Sequence, residues 1–182
     1  MTKTLQQYLD EQKAWESIPD EEFDIAIGAD ARAFSSVYEM AGIIDPMRAR
    51  YRPRDGQTFC NIYVSDITRA LQCEIPHVID GKEMTADATG KLLQAGKIKG
   101  WVPCSAVEAG MIAAVYISSR VVVFSPGAPG HIGMLFFDPS RGKPPYAHVV
   151  QAGRKCGVIE LKEAFGSGAH IKYAYYTRDH TP

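Results

Sequence analysis

The second half of the chain consists of apolar runs that short Gly/Pro-rich stretches separate. These runs are rich in β-branched and aromatic residues, which is typical of strands. We therefore predict about five or six antiparallel strands, over residues 111–118, 120–125, 131–137, 146–150, 157–161 and 170–176.

The first half shows the 3.6-residue spacing of helices instead. It predicts helices over residues 4–16, from the cap Asp30 to about residue 45, from the cap Thr58 to about residue 71, and over residues 85–96, with a short turn capped by Asp20. The segment 74–84 contains Pro76 and Gly81 and is predicted as a loop. Helices followed by strands indicate an α+β fold.

Composition and charge narrow the class of protein. The chain has 182 residues, of which 46% are hydrophobic and 23% charged, which suits a single globular domain over residues 1–182. A net charge of −1 disfavours a nucleic-acid partner. We find neither a signal peptide nor an apolar stretch long enough to span a membrane, and we expect synthesis in the cytoplasm.

Two residues carry the candidate chemistry, Cys60 and His131. Cys60 falls in the first turn of a predicted helix, where the helix dipole favours the reactive thiolate. His131 opens an apolar strand after a Pro/Gly-rich loop, a placement that suits a base for the thiol. Taken singly, each has a plainer interpretation, as a buried core cysteine and a loop histidine. Taken together, they favour a cysteine hydrolase.

Three segments, RYRPRDGQTFCNIYVSDITRAL, GHIGMLFF and AHVVQAG, resemble the NlpC/P60 and CHAP groups of papain-like cysteine peptidases and amidases. The resemblance covers about residues 50–178, although Phe59-Cys60-Asn61 stands where NlpC/P60 enzymes usually have Asp-Cys-Ser. It implies a papain-like fold, with a helical N-terminal addition over 1–50, a catalytic core over 51–178, and N-terminal helices packed on a C-terminal antiparallel sheet. It also implies hydrolysis of amide bonds in peptidoglycan stem peptides.

In these families a polar side chain on the strand after the histidine orients the imidazole. The segment YAHVVQAG offers His148 and Gln151, which strand alternation places on opposite faces. We favour Gln151, because an amide oxygen can accept the imidazole N–H without titrating, and we keep His148 as the alternative. Asp138 is a third possibility, although Asp-Pro-Ser-Arg-Gly fits a turn better.

Residues near Cys60 are candidates for binding the oxyanion and the substrate. The backbone N–H of Cys60 would supply one oxyanion donor, and Gln57, Tyr51 or Asn61 a second. Trp101 is a candidate wall of the substrate groove, with packing as the plainer role. The basic run 48–54 could dock carboxylates of a stem peptide, or form a solvated surface.

We expect no cofactor and no metal, since Cys73, Cys104 and Cys156 lack the spacing of a zinc site. On the resemblance, the partner is a peptidoglycan peptide or another small amide. Phage lysis or a secretion machine would deliver the protein to the wall, and an immunity protein or the delivery machinery would be further partners. Two alternatives stay open: a papain-like thiol acyltransferase, and a non-catalytic module that binds the cell wall.

Overall fold

The structure, a computed structural model, describes residues 3–115, 120–127, 130–137, 147–166 and 170–178. The expected α+β class is confirmed, because helices pack on a six-stranded antiparallel sheet. The described part of the chain contains eight helices: α1 Leu5–Asp10, α2 Asp20–Ile27, α3 Ala29–Phe34, α4 Val37–Ile43, α5 Cys60–Ala70, α6 Ala86–Gln94, α7 Ala106–Val115 and α8 Leu161–Phe165.

The strands form two sheets. The segment 74–84, which the sequence predicts as a loop, contains a short hairpin whose strands have two residues each, β1 Val78–Ile79 and β2 Lys82–Glu83. The main sheet has the order β3-β8-β4-β5-β6-β7. Its strands are β3 Trp101–Cys104, β4 Val121–Ser125, β5 His131–Phe137, β6 Ala147–Ala152, β7 Cys156–Glu160 and β8 Lys172–Tyr176.

Both faces of the main sheet are covered, and strand alternation divides the core into two clusters. On β5, Ile132 and Met134 face the larger cluster, which α5 and the N-terminal helices complete. Leu135 faces the smaller cluster, to which α7 and α8 contribute. Successive residues of one strand therefore point toward different helices.

Helix α5 begins one residue later than the sequence predicts. Phe59, rather than Thr58, is the N-cap, so Cys60 is the first residue of the helix. The chain enters through a tight turn at 54–57, in which Asp55 and Gly56 have φ angles of 51° and 73°. Two positive φ angles suit the Asp-Gly pair of a type I′ turn. The turn sets the direction in which α5 starts.

A buried ion pair fastens the N-terminal segment to α5. The Arg50 Nε lies 2.7 Å from the Asp66 Oδ2, and both side chains are almost fully buried. The Arg50 guanidinium also donates to the carbonyls of Lys13 and Glu16, each at 2.7 Å. The Tyr51 hydroxyl donates to the same carboxylate oxygen at 2.7 Å. Segment 13–16 is therefore held in place from within the core.

The predicted N-terminal helices are wrong in extent. Only Leu5–Asp10 of the 4–16 prediction is helical. The helix predicted after Asp30 is two helices. α3 ends at Phe34, and the capping box of Ser36 and Glu39 starts α4. Asp20 is the first residue of α2 rather than a cap.

One predicted strand is also wrong. Residues 111–115 belong to α7, and the remainder of that prediction lies outside the described residues. Ser105 and Glu108 form a capping box, with both reciprocal contacts between 2.8 and 3.2 Å. The alanine-rich sequence then continues the helix that this cap begins. β3, which the sequence analysis did not predict, restores the number of strands in the main sheet to six.

Across the part of the chain that the structure describes, no helix combines the length and apolarity needed to cross a membrane.

Candidate functional site

Cys60 lies at the N-terminus of α5, against strand β5. Its side chain is only 2% exposed. The backbone N–H groups of Ile132 and Asn61 and the Thr58 side chain lie near the sulfur and favour its anionic form. Pairing between β5 and β6 ends at Met134 and Val150, so Ile132 lies beyond the paired part of β6. The surroundings of the sulfur therefore come from α5, the residues just before it and the start of β5.

These surroundings act on the Cys60 thiol in opposite directions. Burial raises the pKa of Cys60, and the nearby polar groups of Ile132, Asn61 and Thr58 oppose that rise. The net direction is upward, so the resting thiol is neutral at neutral pH. The sequence-based expectation of a lowered pKa is wrong, because desolvation exceeds the effect of the helix N-terminus.

Helix α6 fixes the loop that leads into His131. The Asp87 Oδ1 accepts the backbone N–H of Gly127 at 2.7 Å. A Cβ at Gly130 would lie 2.4 Å from the backbone nitrogen of Asp87, so only glycine permits this approach. The first turn of α6 therefore sets where His131 enters the sheet.

The amide of Gln151 orients the imidazole of His131. The Gln151 Nε2 donates to the carbonyl of Lys155 at 3.1 Å, which turns the Oε1 toward the ring. The His131 Nε2 is hydrogen-bonded to that oxygen and must be the protonated nitrogen. The lone pair of the ring consequently lies on Nδ1. The expected contact between Gln151 and His131 is present.

Phe165 and Gly153 enclose the same ring. The Phe165 ring centroid lies 4.7 Å from that of His131. A Cβ at Gly153 would lie 2.9 Å from the His131 Cε1, so the ring occupies the space that glycine leaves. Burial lowers the pKa of His131, and the hydrogen bond to Gln151 partly offsets this. The ring is therefore neutral at neutral pH.

The thiol and the imidazole occupy different sides of β5. Cys60 belongs to the cluster on the α5 face, whereas the His131 ring contacts Phe165, which packs on the opposite face. Within the described ranges, no hydrogen bond joins the sulfur to the ring.

A cavity of about 430 Å³ opens beside the start of α5. Gln57 and Phe59 form one wall and the N-terminal segment 12–16 forms the other. The Trp15 side chain, 40% exposed, contributes an aromatic surface. The Arg54 guanidinium stacks 4.1 Å from the Phe59 ring centroid and donates to the Gln12 carbonyl at 2.9 Å. The walls are therefore braced against each other.

Of Gln57, Tyr51, Asn61 and Trp101, only Gln57 lines this cavity, together with Arg54 from the basic run. Tyr51 is fully buried with its hydroxyl bound to Asp66, so the prediction that it contacts substrate is wrong. Trp101 is also fully buried and donates its indole N–H to the Cys73 carbonyl at 3.0 Å, which is the packing role. The Asn61 side chain donates to the Met84 carbonyl, leaving its backbone N–H near the sulfur.

His148 does not replace Gln151. Its ring is 5% exposed and packs 5.9 Å from the Phe136 ring centroid, on the face that carries Ile132. The face of β6 that meets His131 carries Gln151 instead. Asp138 lies outside the described residues.

Sequence reasoning missed Phe165, Gly153 and Trp15. A glycine two residues after Gln151 is a signal for close packing that was available in the segment QAGRK. Nothing in the sequence relates Phe165 or Trp15 to His131 or Cys60, because both lie far from them along the chain.

The four cysteines are free thiols. In the described ranges, no group of three or more His, Cys, Asp or Glu side chains is arranged to hold a metal ion. A comparison with protein-family models found none that matches the chain, and a comparison with curated proteins found no similar sequence.

Proposed function

We propose that the chain is a papain-like cysteine amidase or endopeptidase that hydrolyses amide bonds in peptidoglycan stem peptides. The observation that carries the proposal is the orientation of His131, whose Nε2 is held by Gln151 and whose lone pair lies on Nδ1. The Cys60 sulfur lies near the backbone N–H of the next residue along the strand, Ile132. A base of defined tautomer and a thiol at a helix N-terminus therefore flank the same strand, on opposite faces.

The proposed mechanism starts from a neutral thiol and a neutral imidazole. Because the two groups lie on opposite faces of β5, the mechanism requires substrate binding to move this end of β5 and the start of α5 so that Nδ1 of His131 reaches the sulfur. Such contacts are often long before substrate binds. Nδ1 then takes the thiol proton as the sulfur of Cys60 attacks the amide carbonyl. The imidazolium returns the proton to the leaving amine, and water releases the acyl group.

The remaining residues fit supporting roles. The backbone N–H of Cys60, together with the Gln57 side chain, would donate to the oxyanion. The cavity between Gln57 and Trp15, which the residue before Cys60 also lines, would hold the substrate. Gln151 would act as a positioning residue for His131.

Digestion of purified peptidoglycan sacculi tests this proposal, with the products identified by mass. We expect cleavage by the wild type, and a loss of at least about a thousandfold in Cys60→Ala and in His131→Ala, as expected for residues that act as one unit. Cys73→Ala is the matched control, since it also removes a buried thiol but at the other end of α5, outside the site. Thermal unfolding of each variant checks that it folds. Cleavage that persists in Cys60→Ala would contradict the proposal.

The low exposure of Cys60, 2%, favours one second candidate, the non-catalytic module that binds the wall. Such a module would sediment with sacculi without cutting them. Wild-type protein that sediments with sacculi and releases no fragment, with Cys60→Ala sedimenting equally, would establish this second function in place of the first.

A further inference from the structure

A second cavity, of about 510 Å³, lies at the other end of α5. Glu74 and Pro76, which follow the helix, form one wall. The turn between α6 and β3 and the residues at the end of β8 form the other. Helix α5 has 11 residues and is about 16 Å long, at 1.5 Å per residue. This cavity is therefore separate from the Cys60 site.

Positive charge dominates the lining of this second cavity. Lys97, Lys99 and Arg178 all contribute to it, against the single carboxylate of Glu74. In the part of the chain that the structure describes, these three cations have no carboxylate within 4 Å. By contrast, Lys91 on the neighbouring helix α6 is paired with Asp87 at 2.7 Å. Three like charges around one cavity repel one another unless an anion joins them.

The backbone fixes the positions of these cations. The Lys97 N–H donates to the Leu92 carbonyl at 2.9 Å, and the Thr177 N–H donates to the Gly100 carbonyl at 2.8 Å. The second bond joins the α6–β3 turn to the chain just before Arg178. Ile98, 4% exposed, anchors the turn between the two lysines. The fold therefore fixes the backbone positions from which Lys97, Lys99 and Arg178 extend.

Gly100 and Tyr176 shape the floor of the cavity. A Cβ at Gly100 would lie 2.3 Å from the Tyr176 ring, and Gly100 has a φ of 80°. Only glycine allows the ring to pack there. Tyr176 also packs on the buried Trp101, with centroids 5.7 Å apart. The cavity thus has a rigid aromatic surface beside its cations.

We propose that this cavity binds a small organic dianion, with the anionic group between Lys97, Lys99 and Arg178 and an apolar or aromatic part against Tyr176 and Ile98. Phosphate esters and dicarboxylates share this chemistry. The volume exceeds what a bare inorganic anion fills, and Pro76 and Ile79 extend the apolar wall. This binding is independent of the proposed hydrolase activity.

Calorimetric titration of the full chain tests the site with three probes: phenyl phosphate, inorganic phosphate and glutarate. We expect phenyl phosphate to bind at one site, about fivefold or more tighter than inorganic phosphate, and to weaken as salt is raised. If glutarate binds more tightly than phenyl phosphate, the ligand is a dicarboxylate rather than a phosphate ester. Equal affinity for phenyl phosphate and inorganic phosphate would overturn the organic part of the proposal.

Two triple variants each remove three cations, one set at the cavity and the other set away from it. Lys97→Gln/Lys99→Gln/Arg178→Gln should weaken phenyl phosphate binding by about 50-fold or more, since each partly exposed charge contact contributes up to about fivefold. Lys162→Gln/Lys172→Gln/Arg154→Gln, which makes the same charge change elsewhere, should weaken it less than about twofold. Thermal unfolding shows whether both variants fold, and each single variant serves if the triple does not. Absence of binding to all three probes, or equal weakening in the two triple variants, would overturn the proposal.

Discussion

The two ends of helix α5 carry cavities of similar volume, about 430 and 510 Å³, but of different electrostatic character. At the amino end, Lys13 and Arg54 are balanced by Glu16 and Asp55. At the other end, three cations face one carboxylate. The difference does not follow from the local sequence, since the most basic run of the chain, residues 48–54, belongs to the balanced end.

That basic run shows why a charged segment is a poor guide to ligands. Arg50 is buried against Asp66, and Arg48 lies 2.7 Å from Asp10. Arg52 and Arg54 donate to backbone carbonyls. The run neither docks carboxylates freely nor forms a merely solvated surface. Arg50 and Arg54 hold the amino-end cavity together through the carbonyls of segment 12–16, whereas the side chains of the cations at the other end make no hydrogen bond of this kind in the described part of the chain.

The largest effect should come from removing the ion pair that braces the amino-end cavity. In Asp66→Asn, Arg50 stays buried without its counter-ion, which costs about 3–5 kcal/mol of stability. Urea unfolding measures the change. Asp10→Asn is the control. It removes the ion pair between Asp10 and Arg48, whose side chains are both accessible to solvent, and such exposed pairs contribute at most about 1 kcal/mol. Similar costs in both variants would refute the bracing role of Arg50.

A smaller effect, confined to the amino end, should follow from Gly153→Ala. The added methyl would lie 2.9 Å from the His131 Cε1 and displace the ring. Misplacement of a reacting group by about 1 Å costs about a hundredfold in rate. We therefore expect hydrolysis of sacculi to fall by about that factor, with phenyl phosphate binding at the other end unchanged.

Gly110→Ala is the matched control for this change, since a Cβ there would meet nothing within 4 Å. It should leave both the hydrolysis rate and the phenyl phosphate affinity within about twofold of the wild type, as a surface change does. A loss of phenyl phosphate binding in Gly153→Ala would show that the two ends of α5 are not independent.

The sequence predicts the sheet well because alternation and turn residues are local signals. The same alternation correctly separates His148 from Gln151. The prediction of a strand is wrong for residues 111–115, because apolar alanines suit either structure and the capping box at Ser105 and Glu108 decides for a helix. The capping box is a local signal for a helix, but the apolar run that follows it favoured the prediction of a strand.

Other features depend on pairings between distant segments and have no local signal. Lys99 and Arg178 come together only because β3 pairs with β8, so a sequence scan does not group them. The side of β5 on which each group lies is likewise a tertiary outcome. Burial reverses the expected direction of the Cys60 pKa for the same reason, since its extent depends on the packed core.

The smallest effect concerns the titration of His131. Burial lowers its pKa below the ordinary 6.5, so the ring should be more than half neutral at pH 6.5. Stability should accordingly fall as pH drops below 6.5, because the unfolded chain binds the proton more readily.

NMR titration of the His131 Cε1–H, assigned with His131→Gln, measures the pKa. Gln151→Leu removes a hydrogen bond that raises this pKa and should lower it further, whereas Gln151→Glu adds an opposite charge and should raise it. A pKa unchanged in both variants would disprove that Gln151 controls the protonation of the base.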